Sequence, residues 1–165
     1  MGCYIARVVA LTITVVGAAA PAALGAPVCS DDALFLRTAQ GQEVRFSIEI
    51  ADDPDERAQG LMNRESLPRS SGMLFVYPEP KHVAFWMKNT LIPLDMLFAD
   101  GSGQILQIHS MAKPLDETPI DGGDGVKFVI EINGGLADML GLTPGAVMMH
   151  PSVDVLTAKW PCSHQ

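Results

Sequence analysis

The 165-residue chain is poor in cysteine, with three, and poor in positive charge, with 11 Lys and Arg against 19 Asp and Glu. The resulting net charge of −8 is dispersed rather than gathered in blocks, the pattern of solvated faces. A chain of this sign is repelled by phosphate backbones, which argues against nucleic-acid binding. The sequence also lacks a G-x-S-x-G, an H-E-x-x-H, a P-loop and a G-x-G-x-x-G. The most legible routes to acyl transfer, zinc hydrolysis and nucleotide binding are therefore closed. A long hydrophobic run is missing as well. Val8 to Ala20 is thirteen residues, short of the roughly 20 that a membrane helix needs.

That short run has its own meaning. Arg7 is the only charged side chain among the first thirty residues, and small residues follow through Ala22-Ala23-Leu24-Gly25-Ala26. A basic residue, a short apolar stretch and a small-residue exit make a secretory signal. Residues 1–26 are expected to leave, with cleavage after Ala22, Gly25 or Ala26. Residues 27–165 then form one β-rich domain, long enough for a real core. The mature protein is expected in the periplasm or outside the cell, without a stable membrane span. Lipidation at Cys29 is disfavoured by the bulky Val28 before it.

Cys3 departs with the signal, which leaves Cys29 and Cys162 near the two ends of the mature chain. In an oxidising compartment the two are expected to form a disulfide. In the chain-entropy account a tie of that span contributes about 4–5 kcal/mol at most. A metal site on Cys162 and His164 would have too few ligands.

Period-two patterning dominates the rest. Val44, Phe46, Ile48 and Ile50 alternate with Arg45, Ser47 and Glu49, which reads as a half-buried strand. Val126, Phe128, Ile130 and Ile132 repeat the pattern. Shorter strands are expected at Leu34 to Arg37, Met73 to Tyr77, Val83 to Met87, Met96 to Ala99, Gln104 to His109 and Ala146 to Met149. Asp100-Gly101-Ser102-Gly103 punctuates a hairpin. Asp53-Pro54-Asp55-Glu56 sets an N-cap acid, a proline at the first helical position and a glutamate at the third. A helix to about Met62 follows, with Ala58, Leu61 and Met62 facing the sheet. A second short helix spans Leu136 to Leu140 and is closed by Gly141. Leu115 to Gly125 reads as a polar loop. The expected fold is mostly β, a β-sandwich or barrel-like domain with two short helices.

Several segments recur in a known pattern. They are Phe46-Ser47-Ile48-Glu49-Ile50-Ala51-Asp52, Glu56-Arg57-Ala58-Gln59-Gly60-Leu61-Met62, Gly72-Met73-Leu74-Phe75-Val76 and Phe85 to Met96. Ala112-Lys113-Pro114-Leu115, Glu131-Ile132-Asn133-Gly134-Gly135 and Leu142-Thr143-Pro144-Gly145 complete the set. In order and spacing, over about residues 44–156, the chain resembles the domain-of-unknown-function family 192 of bacteria and archaea. The resemblance implies a small, mostly-β, usually exported domain and brings no settled activity with it.

The segment Phe85-Trp86-Met87-Lys88-Asn89-Thr90-Leu91-Ile92-Pro93-Leu94-Asp95-Met96 carries the most chemistry. An indole beside an ammonium, an amide and a carboxylate could hold a sugar ring or an amine. Trp86 would stack, Lys88 and Asn89 would donate, and Asp95 would orient Lys88 or accept. Glu131, further along the chain, is a further candidate. The same residues also have a structural reading: Trp86 capping the core, Lys88 paired with Asp95, and Asn89-Thr90 making a turn. The first reading makes the protein a small ligand-binding or accessory module of the cell envelope, with a small molecule or an envelope protein as partner and no cofactor. One alternative is a hydrolase with Lys88, Asp95 or Glu131 at its centre. Another is a copper protein that uses the methionines and His82, His109, His150 and His164. Most of those methionines sit at apolar positions, where methionine is ordinary filler. Asp121-Gly122-Gly123-Asp124-Gly125 has too few oxygens for a calcium loop and reads as a solvated turn.

Overall fold

The computed structural model of the protein describes Met1 and residues 29–163. The expected signal segment lies outside the described residues, as does His164.

Seven strands form one sheet: β1 (Ala33–Arg37), β2 (Glu43–Ala51), β3 (Ser71–Phe85), β4 (Leu94–Ala99), β5 (Ile105–Ala112), β6 (Ile120–Asn133) and β7 (Val147–Met149). Their order across the sheet is β5-β4-β6-β3-β2-β1-β7. β2 and β3 run parallel, in register Ser47↔Ser71 to Ala51↔Phe75, and the remaining neighbours are antiparallel. A parallel neighbour requires a crossover, and helix α1 (Pro54–Gln59) lies in it. The two outer strands meet at one end. Gln104 bridges Val147, Ile105 N–H donates to the Ala146 carbonyl at 2.8 Å, and Met148 N–H donates to that of Gly103 at 2.8 Å. The sheet is therefore curled into a half-barrel, the barrel-like form of the two expected.

Both faces of the curl are buried. Leu34, Phe46, Leu74, Leu97, Phe128 and Ile130 fill the inner face, joined by Ile105 and Met148 from the two edges. Met73, Phe75, Met96, Phe98 and Val129 form a second core on the outer face, covered by Leu61 and Met87 from the connecting segments. A strand covered on both sides loses the alternation of a half-buried one. β4 shows this: all six of its residues are buried.

The sequence-based expectations mostly coincide with these elements, with three corrections. Met73–Tyr77 and Val83–Met87 are not separate strands. Met73–Tyr77 and Val83–Phe85 belong to one 15-residue strand, β3, whose pairing with β6 shifts register between Val76 and Ala84, and Trp86 and Met87 lie past its end. The polar middle, Pro78 to His82, was read as a break but is an exposed ribbon extension. Its partner is the second correction, because Ile120 to Gly125 is strand and not loop. A Cβ at Gly122 would meet the Phe98 ring at 2.4 Å. That glycine serves a close approach, not a turn. Third, α1 ends at Gln59, and Ala58 is not packed on the sheet. Leu61, past the helix end, is the buried residue.

The expected capping box is present. The Asp53 carboxylate accepts from the N–H groups of Asp55 and Glu56 at 2.8 Å, and Glu56 reaches back to the Asp53 N–H. The second helix, α2 (Leu136–Met139), is followed by Gly141 at φ +66°. Cys29 and Cys162 form the expected disulfide.

Candidate functional site

Glu131 lies near the end of β6, between Met73 of β3 and Met96 of β4. Strand alternation places it on the outer face with Val129, one step from the inner-facing Ile130 and Ile132. It is 5% exposed, and its Oε2 has no hydrogen-bond partner. Burial without a compensating charge pushes its pKa up to about 8, because low-dielectric surroundings penalise the ionised form. The side chain is thus a neutral acid at pH 7.

The space before this carboxyl is made by Gly60. A Cβ there would lie 3.0 Å from Phe75 Cζ and 3.8 Å from Glu131 Oε2, and the residue has φ +50°. A side chain would crowd the ring and strain the backbone. The result is a cavity of about 210 Å³ whose walls include Phe75, Tyr77, Phe85, Trp86 and Thr90. Phe85 packs edge-on against Phe75 at 5.1 Å and against Phe98 at 5.9 Å, a geometry that suits ring quadrupoles. Arg57, from α1, also lines the cavity. Its guanidinium lies 5.2 Å over the Tyr77 ring and donates to the carbonyls of Asp52 and Val76. Burial raises the Tyr77 pKa, partly opposed by the Arg57 charge.

Of the residues singled out in sequence, Trp86 and Glu131 line this one cavity. Trp86 is half exposed, at 49%. Lys88 does not line the cavity; its Nζ lies 5.5 Å from the Trp86 ring centroid. Asn89 sits at φ +53°, a conformation asparagine tolerates, and its carbonyl accepts from Asn63 N–H at 2.7 Å. It therefore serves the turn. Asp95 lies on the inner side of β4, in register with Ile132, and is fully buried. Its carboxylate accepts from the N–H groups of Met111 and Gly135 at 2.8 Å and of Ala137 at 2.7 Å. It neither orients Lys88 nor meets a ligand in this cavity.

Asp95 and Glu131 lie on opposite faces of the sheet, so the paired-acid centre of a hydrolase is not assembled. The elements of a copper site are dispersed too. Met73, Met87 and Met96 are outer-core filler and Met148 is inner-core filler. The His150 ring is held between the Asp31 carbonyl at 3.2 Å and the Ser152 N–H at 3.1 Å. Met87, His109 and Met111 do share the wall of a second cavity of about 350 Å³. Among the described residues, no three His, Cys, Asp or Glu side chains are grouped to hold a metal.

Sequence reasoning missed Gly60, Tyr77, Phe75, Phe85 and Arg57 as parts of one site. No local pattern in the sequence reveals the Arg57 cation laid across a ring twenty residues away. Arg64, past the end of α1, is paired with Glu49 of β2 through two contacts of 2.6 and 2.5 Å.

Comparison with known proteins gives the family and the fold. The model of the domain-of-unknown-function family 192, described as Uncharacterized ACR, matches residues 35–150. A solved protein from Sinorhizobium meliloti 1021, named as a candidate transcription regulator, is 40% identical with a TM-score of 0.70. The match covers 75% of this chain and 96% of that one. A protein of unknown function from Novosphingobium aromaticivorans DSM 12444 is 35% identical with a TM-score of 0.68, over 80% of this chain and 98% of its own. No curated protein matches the chain. Among the described residues, no helix is long and apolar enough to cross a membrane.

Proposed function

This chain belongs to the domain-of-unknown-function family 192, and we propose that it is an exported binding module of the cell envelope that takes a small molecule into the cavity beneath Trp86. The observation that carries this reading is the Glu131 carboxyl, nine-tenths buried, with an oxygen left unpartnered on the cavity wall. An unsatisfied buried acceptor costs on the order of 1–3 kcal/mol, and a core built for stability alone would carry an apolar residue there. A concave wall of apolar and aromatic side chains with a few polar groups, here Glu131 with Arg57, Gln59 and Thr90, is the general form of a small-molecule site.

Export is supported by the signal-like residues 1–26 and by the pairing of Cys29 with Cys162, since structural disulfides belong to oxidising compartments. The regulatory role in the name of the Sinorhizobium relative is not carried over to this chain. A dispersed net charge of −8 offers no basic face for a phosphate backbone.

A thermal-shift screen of the mature, oxidised domain against sugars, amino acids, amines and cell-wall fragments tests the reading. A ligand at 100 times its dissociation constant stabilises by about 2.7 kcal/mol, a readily visible shift in melting temperature. The shift is expected to vanish in Trp86→Ala. No shift from any compound, or a shift that Trp86→Ala leaves intact, would remove the cavity from consideration.

A further inference from the structure

The geometry points to a ligand bearing a primary ammonium group, seated with that group against Glu131 Oε2 and an apolar tail among the rings of Phe75, Phe85 and Trp86. The inference rests on the cavity being a binding site and adds the chemical class of its occupant.

Three observations select a cation over a neutral or anionic head. The first is the partner. Glu131 Oε2 is the one buried side-chain polar atom without a hydrogen bond among the described residues. Of the other polar side chains on the wall, Thr90 Oγ1 donates to the Lys88 carbonyl and Arg57 holds the carbonyls of Asp52 and Val76, while the Tyr77 hydroxyl and the Gln59 amide stand with Glu131 on the lining. A sugar presents hydroxyls on all sides and would leave most of them unpaired here. A compact charged head on a short apolar tail needs one strong acceptor and little else. The second is the wall. Aromatic faces attract ammonium groups and repel anions. The third is size: a cavity of about 210 Å³ has room for a short-chain amine.

Binding moves one proton. The neutral Glu131 carboxyl meets an R–NH3⁺, the carboxylate–ammonium pair forms, and the carboxyl proton leaves to buffer. The groups facing Glu131 are few. Arg57 comes from α1 and Tyr77 from β3, while its sheet neighbours Met73 and Met96 do not titrate. The proton that is lost is the one on Glu131, whose pKa burial has pushed up to about 8.

The probes are n-butylammonium, 1-butanol and butyrate, which share one tail and differ in the charge of the head. Titration calorimetry in two buffers of different ionisation enthalpy is expected to show butylammonium releasing close to one proton per site at pH 7. Its affinity should rise almost tenfold per pH unit from 6 to 7 and level off above 8. Butanol should bind at least tenfold more weakly, with no proton released, and butyrate should not bind. Glu131→Gln should abolish both the proton release and the preference for the amine. Trp86→Leu, a variant at a half-exposed position, should weaken butylammonium and butanol together, because the two share the tail that the ring holds.

Equal binding of butylammonium and butanol, or binding without proton release, overturns the ammonium assignment. A Trp86-dependent shift with a sugar or an acid but not with butylammonium overturns it too, and leaves the cavity as a binding site. Silence from every compound overturns both.

Discussion

Two carboxylates are buried on adjacent strands at neighbouring register positions, on opposite faces of one sheet. Asp95 on the inner face accepts three backbone N–H groups. Glu131 on the outer face has an oxygen with no partner. Burial alone therefore says little about role. An acid whose lone pairs are spent on backbone amides is part of the scaffold, tying β5, α2 and the turn between β6 and α2 together. An acid left unsatisfied is a cost that the fold carries for another reason. The inner face is built to completion, and the outer face has been left with a gap at Gly60.

The comparison is broken most violently at Asp95. Asp95→Ala orphans three backbone donors, that of Ala137 buried and those of Met111 and Gly135 partly so, each worth about 1–3 kcal/mol when bonded to a charged acceptor. A loss on the order of 4–6 kcal/mol is expected, enough to unfold many domains of this size. Urea or thermal unfolding, by circular dichroism, measures it. A loss below about 1 kcal/mol would mean that Asp95 is not the tie described above.

The opposite sign is expected at Glu131. Its pKa stands near 8 in the fold against 4.5 for an unperturbed glutamate, so between those values the unfolded chain binds fewer protons than the native one. Stability is then fully retained below about pH 4.5 and lost progressively as pH rises towards 8. At about 1.4 kcal/mol per unit, the ceiling of this loss is roughly 5 kcal/mol. Glu131→Gln keeps the shape and removes the ionisation. The variant should match the parent near pH 4.5 and exceed it by a few kcal/mol at pH 8–9. A parallel pair of stability–pH curves would contradict the burial described here.

The same pair shows what could be read in the sequence. β2 and the body of β6 were legible from alternation, because each segment's pattern of apolar and polar residues survives in its local numbering. The capping box at Asp53 was legible for the same reason, since all its partners lie within four residues. Site membership was not. Trp86 stood out by residue type, whereas Glu131 was one acid among nineteen acidic residues until the sheet order put it between Met73 and Met96. Asp95 looked like Glu131 in sequence, because the face of a fully buried strand such as β4 cannot be read from an unbroken apolar run. Gly60 and Gly122 read as punctuation, and only contacts distant in sequence reveal that each keeps a cavity or a ring free of a Cβ.

A third carboxylate sharpens the contrast at its weak end. Glu49 on β2 is paired with Arg64 through two close contacts, yet the two side chains remain 53% and 37% exposed. The hydrogen bonds from Arg64 hold its carboxyl below the usual range. Its contribution is therefore present above about pH 4.5 and lost as the pH falls below that, the reverse of the Glu131 slope. Solvent and salt screen such a pair, so Arg64→Ala should cost less than about 1 kcal/mol, and less again in 1 M salt. Glu131→Gln, acting on an oxygen that salt cannot reach, should keep its pH-dependent effect at the same ionic strength. If both effects faded together with salt, Glu131 would be an exposed acid, and the distinction between the two faces would fall with it.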